Sequence, residues 1–246
     1  MLVLVMVQPA FASLLFMENF DTDSLGNSDE YETASNLSVE SGAMNLIYYS
    51  TMPSVPCHLA CTLPVSPVPP AELVIELNFL GGGSSSSSSL FLCYSAGPGW
   101  GMPLPYMPGF VRVNTRTGYV IRYIRHGDGA NEIKFYRNDT GDVHEIKNDW
   151  LPANPITTLR RTVIRHRADG GHVITSTFDT GVRFDRQWTF TDDRYPPGNL
   201  QRGLHVLCKG HTNIGVLWTV PTDTWIVTDL PGPVEKFPGP RPRRHR

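Results

Sequence analysis

Hydrophobic and polar residues alternate along most of this chain with a period of two, the spacing of strands that bury one face. Leu73, Ile75, Leu77 and Phe79 share one parity, and Val74, Glu76 and Asn78 share the other. The run IKFYR repeats the pattern, with Ile133 and Phe135 inward and Lys134 and Tyr136 outward. Runs rich in Val, Ile and Thr flank Ala168-Asp169-Gly170-Gly171, which predicts a hairpin whose glycine supplies the positive φ of a tight turn. A second hairpin is predicted from Asn36 to Tyr49 around Ser41-Gly42, and Leu90 to Tyr94 reads as another strand. Between them FVRVN, YVIRYIRH, NEIKFYR and DVHEIK form a meander punctuated by glycine turns. In YVIRYIRH, Tyr119, Ile121, Tyr123 and Arg125 fall on one face and Val120, Arg122, Ile124 and His126 on the other. Both faces are mixed, so the pattern leaves open which one meets the core.

No stretch sustains a helical period, and one short helix near Asn148 to Ala153 is the most that the pattern predicts. About a dozen strands in two sheets of about six each would close a core, so the expected fold is all-β, an antiparallel two-sheet β-sandwich. One domain is expected over residues 14–230. Met52 to Pro70 carries six prolines and reads as loop; the Gly/Ser run at 81–89 reads as a flexible hairpin tip, and the Pro/Arg-rich residues 231–246 as a disordered tail.

Composition narrows the partners. A formal net charge of -2 over 246 residues lacks the basic excess that phosphate neutralisation requires, so no nucleic acid is expected. Met1 to Ser13 is apolar and ends in Ala10-Phe11-Ala12, the small-x-small pattern of a signal-peptide cleavage site. It is too short to span a membrane, which needs about 20 apolar residues. A secreted or periplasmic monomer with a signal-peptide remnant at 1–13 is the resulting expectation. Four cysteines fit an oxidising compartment. Cys57 and Cys61 could close a small disulfide loop, or with His58 suggest metal, although no second pair follows at zinc spacing. Cys93 and Cys208 sit in apolar runs and read as buried thiols.

The residues Glu18-Asn19-Phe20-Asp21-Thr22-Asp23-Ser24-Leu25, followed by the hairpin Val39 to Leu46, resemble the opening of bacterial concanavalin A-like lectin/glucanase domains. Ile164 to Gly171, Thr189 to Leu204 and the closing run Trp225 to Leu230 match the far end of such domains in style. The resemblance implies a jelly roll whose concave sheet binds glycans. It also implies a calcium site between the terminal strands, for which Glu18, Asp21, Asp23 and Asp229 are the candidates. Retaining glucanases of this superfamily carry an E-x-D-x-x-E strand motif, and this chain has none; Glu72 and Glu76 share a face but have Val74 between them. Jelly-roll polysaccharide lyases combine a neutralising residue with His and Tyr. Arg122, Tyr123, His126, Lys134, Tyr136, His144 and His205 could supply such a set.

For sugar binding the candidates are Trp100 and Tyr106 in the loop from Gly97 to Gly109, where aromatic faces can stack on sugar rings, together with Arg122, Lys134, Tyr136 and His205. The leading expectation is a secreted carbohydrate-binding jelly roll recognising an extracellular polysaccharide or oligosaccharide. A lyase using Arg122, Tyr136 and His205 is the rival, and a structural or adhesive surface domain is the third class. Asn36-Leu37-Ser38 and Asn138-Asp139-Thr140 match the N-glycosylation pattern.

Overall fold

The computed structural model describes residues 14–18, 30–32, 37–40, 43–48, 57–61, 71–79, 88–96, 118–126, 130–139, 142–151, 158–195, 197, 202–210 and 218–228. Side chains are described at 71–79, 90, 92, 94, 118–126, 130–139, 142–151, 158–195 and 197, and the backbone alone elsewhere.

These residues form strands β1 (Leu14–Glu18), β2 (Glu30–Glu32), β3 (Leu37–Glu40), β4 (Ala43–Tyr48), β5 (Cys57–Cys61), β6 (Glu72–Phe79), β7 (Ser88–Ala96) and β8 (Gly118–Arg125). There follow β9 (Asn131–Asp139), β10 (Asp142–Leu151), β11 (Leu159–Arg167), β12 (Gly171–Asp179), β13 (Arg183–Thr191), β14 (Arg202–Gly210) and β15 (Trp218–Thr228). An eight-stranded sheet runs β13-β12-β11-β6-β15-β4-β3, with β1 also paired to β15. A seven-stranded sheet runs β10-β9-β8-β7-β14-β5-β2, and every pairing in both sheets is antiparallel. The expected sandwich is therefore the fold, with hairpins β3–β4 and β11–β12 where the turn residues predict them.

Four expectations change. Residues 142–151 are the edge strand β10, so no helix begins at Asn148; pairing with β9 across a bulge between Glu145 and Lys147 carries the chain on in extended form. The proline-rich stretch contains β5 between its prolines, where CHLAC pairs with β14. Ser88 and Ser89 belong to β7 rather than to the preceding Gly/Ser tip, because their backbone pairs with β8 and β14. Cys57 and Cys61 stand at opposite ends of β5, four strand positions or roughly 13 Å apart, too far for one disulfide.

The core forms between the inward parities. Leu73, Ile75, Leu77 and Phe79 from β6 meet Leu90, Leu92 and Tyr94 from β7, Tyr119, Ile121 and Tyr123 from β8, and Ile133 and Phe135 from β9. Ile164, Ile174, Phe178 and Trp188 complete it from β11, β12 and β13. This settles β8: its tyrosine face points inward.

Several core side chains are polar, and the tyrosines and His172 use their polar atoms. The Tyr123 hydroxyl lies 3.0 Å from Thr162 Oγ1 and 2.6 Å from Ser176 Oγ. His172 Nε2 is 3.0 Å from the Asp192 carbonyl oxygen, an acceptor only, so this nitrogen carries the proton. Nδ1 is then the acceptor for the Tyr94 hydroxyl, 3.0 Å away. The Tyr119 hydroxyl donates to Asp192 at 2.8 Å and accepts from the Tyr195 amide at 3.2 Å. Arg137 binds Asp192 Oδ2 at 2.6 Å, and Tyr195 donates to Asp139. The chain from Asp192 to Tyr195 is thus tied to both sheets at Asp192 and Tyr195, while Asp193 and Arg194 between them are exposed. It also presses on the β11–β12 turn: Gly170 has φ +80°, and a Cβ there would lie 2.7 Å from Asp193 Cβ. Glycine is required at this position by conformation and by space.

His166 and His172 stack with ring centroids 4.2 Å apart. Burial, with the neighbouring imidazole, lowers His166 from its ordinary pKa to about 2. Burial lowers His172 to about 4, although the Asp192 carbonyl works in the opposite direction. Above pH ~6.5 both histidines are neutral folded or unfolded and have no effect on stability. Below it the unfolded chain takes up protons that the folded chain refuses, so each histidine removes about 1.4 kcal/mol of stability per pH unit until its folded pKa is reached. Asp139 and Asp192, both held below the usual carboxylate range by Tyr and Arg partners that outweigh their burial, add to the loss once pH falls through that range. Urea unfolding should accordingly give a midpoint that is flat from pH 8 to 7 and falls steeply between about pH 6 and 4. A flat profile through that window would show that neither imidazole is held neutral.

Candidate functional site

Residues paired across an antiparallel sheet share a face. On the outer face of the seven-stranded sheet, one row therefore reads Asn148, Lys134, Arg122, Phe91, Leu207, His58 and Glu32 from β10 to β2. The next reads Glu145, Tyr136, Val120, Cys93, His205, Ala60 and Glu30. Four of the six sugar-binding candidates, Arg122, Lys134, Tyr136 and His205, thus occupy neighbouring rows of one face. Trp100 and Tyr106 lie outside the described residues.

Arg122 is only 9 % exposed although it is on the outer face. Burial lowers its pKa, and a hydrogen bond with Tyr136 works against that loss. Burial raises the Tyr136 pKa, so the phenol keeps its proton and accepts from the guanidinium. Beside this pair runs a continuous polar strip. Lys134 Nζ lies 3.1 Å from Glu132 Oε1 and 3.3 Å from Glu145 Oε2. Burial opposes the Lys134 charge, yet these carboxylates lift its pKa above the ordinary value. Asn148 donates to Glu145 at 2.8 Å, and His126 Nε2 lies 3.2 Å from Glu132 Oε2. At the end of the strip Trp150 is 61 % exposed, with its ring centroid 5.9 Å from that of His126. It pairs with Glu132 and so faces the same way.

Sequence reasoning had Lys134, Tyr136, Arg122 and His126 in view but missed Glu132, Glu145, Asn148 and Trp150. The parity of NEIKFYR already places Glu132 with Lys134. Trp150 was hidden because the bulge between Glu145 and Lys147 breaks the alternation of β10.

Other candidates fall elsewhere. Tyr123 is in the core, hydrogen-bonded to Thr162 and Ser176, and is removed from the lyase set by its inward parity. His144 pairs with Asp139 at 3.1 Å. His205 and Tyr136 share a row but are separated by β8 and β7, three strand spacings or roughly 14 Å of backbone. Glu72 and Glu76 lie on the outer face of the eight-stranded sheet, where Arg161 grips Glu76 at 2.7 Å. Asn138 is 1 % exposed in β9, so in the folded chain it cannot serve as a glycosylation acceptor; Asn36 lies outside the described residues. Glu18 stands in β1 opposite Trp225, whereas Thr228 stands opposite Leu14, four positions or roughly 13 Å away. Asp21, Asp23 and Asp229 lie outside the described residues, among which no group of three or more His, Cys, Asp or Glu could hold a metal.

The fold is a concanavalin A-like two-sheet sandwich, an architecture that solved lectins also have. No protein-family model matches the sequence, and no curated protein matches it. Among solved structures, this chain is similar to the CBM2 module of the evolved Dit of Lactobacillus casei BL23 phage J-1, at TM-score 0.61 and 10 % identity over 89 % of this chain and 96 % of that one. It is similar to lectin I of Ulex europaeus, solved with the methyl glycoside of α-L-fucose, at TM-score 0.56 and 13 % identity over 89 % and 98 %. It is also similar to the VIP36 exoplasmic/lumenal domain in its Ca2+/Man-bound form, at TM-score 0.51 and 10 % identity over 80 % and 82 %. At these identities the likeness is one of fold.

The Arg122–Tyr136 pair should hold the outer face together. Arg122→Met leaves a neutral phenol without its donor and should cost about 1 kcal/mol of unfolding free energy, whereas Tyr136→Phe leaves a buried guanidinium without that acceptor and should cost about 1–3 kcal/mol. Chemical denaturation of both variants measures this, and equal, negligible costs would show that the pair is not formed.

Proposed function

We propose that this chain is an exported carbohydrate-binding domain that docks a glycan along β8, β9 and β10 on the outer face of the seven-stranded sheet. The observation that carries this reading is Trp150. It is the one exposed aromatic among the large hydrophobics of the described residues, and it borders a strip of carboxylates, amide and ammonium groups suited to sugar hydroxyls. The neighbouring His126 ring, tilted to it with centroids 5.9 Å apart, limits the freedom that the indole would lose on stacking. The fold shared with sugar-bound lectins supports the reading, and the Ala10-Phe11-Ala12 pattern supports export. Among the described residues, no helix is long and apolar enough to cross a membrane.

Binding is favoured over bond cleavage by the same geometry. For the lyase alternative, the separation of His205 from Tyr136 argues against a working set.

A glycan array should give a specific sugar hit, and Trp150→Ala should weaken it by about tenfold or more, ~1.4 kcal/mol, while leaving stability within about 0.5 kcal/mol because the side chain is exposed. An array silent at millimolar sensitivity, or a hit indifferent to Trp150, overturns the assignment.

Calcium enters as a separate proposal. Glu18, Asp21, Asp23 and Asp229 are the carboxylates that could supply its oxygens. Chelation with EDTA should then lower the melting temperature and calcium restore it; an unchanged melt excludes the ion.

A further inference from the structure

The register of the seven-stranded sheet sorts the four cysteines in a way that spacing along the chain does not. β5 and β14 pair without a shift over five positions, and Cys57 is the partner of Cys208. Directly opposed residues in an antiparallel pair have Cα atoms about 4.5 or 5.5 Å apart, depending on the hydrogen-bonding pattern, and both values lie within the span of a disulfide.

Every other combination fails on backbone distance. Cys61 is opposite Leu204, four positions from Cys208, and is equally far from Cys57 along β5. Cys93 is opposite His205, three positions or roughly 10 Å from Cys208. Cys61 and Cys93 are two strands apart with β14 between them, roughly 10 Å, and they fall on rows of opposite parity. Cys93 and Cys57 are separated by β14 and by three positions as well.

We infer that Cys57 and Cys208 are joined by a cross-strand disulfide that staples β5 to β14, while Cys61 and Cys93 stay as thiols. The pair lies on the row that continues through Leu90 and Tyr123, both fully buried in the core. The link closes a very long loop of chain, the case in which a crosslink restricts the unfolded state most. It also anchors the β5–β2 end of the sheet, where β2 contributes only the three residues Glu30–Glu32. The bond forms by two successive thiol–disulfide exchanges with a small disulfide such as oxidised glutathione. Both cysteine protons are released to solvent or to the leaving thiolates, one protein S–S bond forms, and the oxidant's S–S bond is reduced to two glutathione thiols.

The test uses the full chain refolded or secreted in a glutathione redox buffer, alkylated under denaturing, non-reducing conditions and digested for mass spectrometry. A linked peptide pair containing Cys57 and Cys208, with Cys61 and Cys93 alkylated, is the expected result. Alkylation of Cys57 and Cys208, or a link of either to another cysteine, overturns the inference. Thermal melts give a second readout: dithiothreitol should lower the wild-type melting temperature by about 5–15 °C and leave the Cys57→Ser/Cys208→Ser variant unmoved. An equal response in both proteins would mean that no such bond contributes.

Discussion

In an antiparallel sheet side chains alternate strictly between two faces, so the unshifted pairing of β8 with β7 and β9 commits Tyr119, Ile121 and Tyr123 to the interior and Val120, Arg122 and Ile124 to the outer face. A slip by one residue would exchange the two sets. It would put a guanidinium between the sheets and expose the tyrosines that organise the polar interior. The same register places Lys134 and Tyr136 beside Arg122, so the core and the candidate site are two consequences of one pairing.

The interior on the tyrosine side is unusual in its polarity. Hydroxyls and imidazoles from β7, β8, β11 and β12 converge there, and their cost is contained because nearly every polar atom has a protein partner of complementary type. Asp192 is the point of convergence, receiving Tyr119, His172 and Arg137 through its carbonyl and carboxylate. The arrangement ties both sheets to the segment that follows β13. It also makes the neutral state of two imidazoles a condition of the fold, which links stability to acidity.

The outer face is organised differently. Its charges are paired into a strip in which Lys134 bridges two glutamates and His126 and Asn148 cap the ends. A ligand meeting this surface encounters donors and acceptors already oriented by one another, beside an indole that offers apolar area. That combination of a ring platform and fixed polar groups suits a sugar, whose faces are apolar and whose rim is hydroxyl.

Strand parity was readable wherever polarity differed between faces, as in β6 and in Ile133 to Tyr136, because burial imposes the period directly on the residues. In β8 both faces are mixed, and only the neighbours on β7 and β9 decide that the tyrosines point inward. Trp150 and the role of Asp192 were beyond the pattern for related reasons. A bulge offsets the alternation that would have extended β10, and Asp192 finds Tyr119 from 73 positions away along the chain. Likewise the chain shows four cysteines but not which two are opposed, since that depends on how β5 meets β14. The sequence by itself determined an antiparallel sandwich and a short list of polar strand residues, through local alternation and turn chemistry. Which of those residues share a face, which are buried, and which meet across strands was decided only by tertiary register, because contacts between distant segments leave no local period to read.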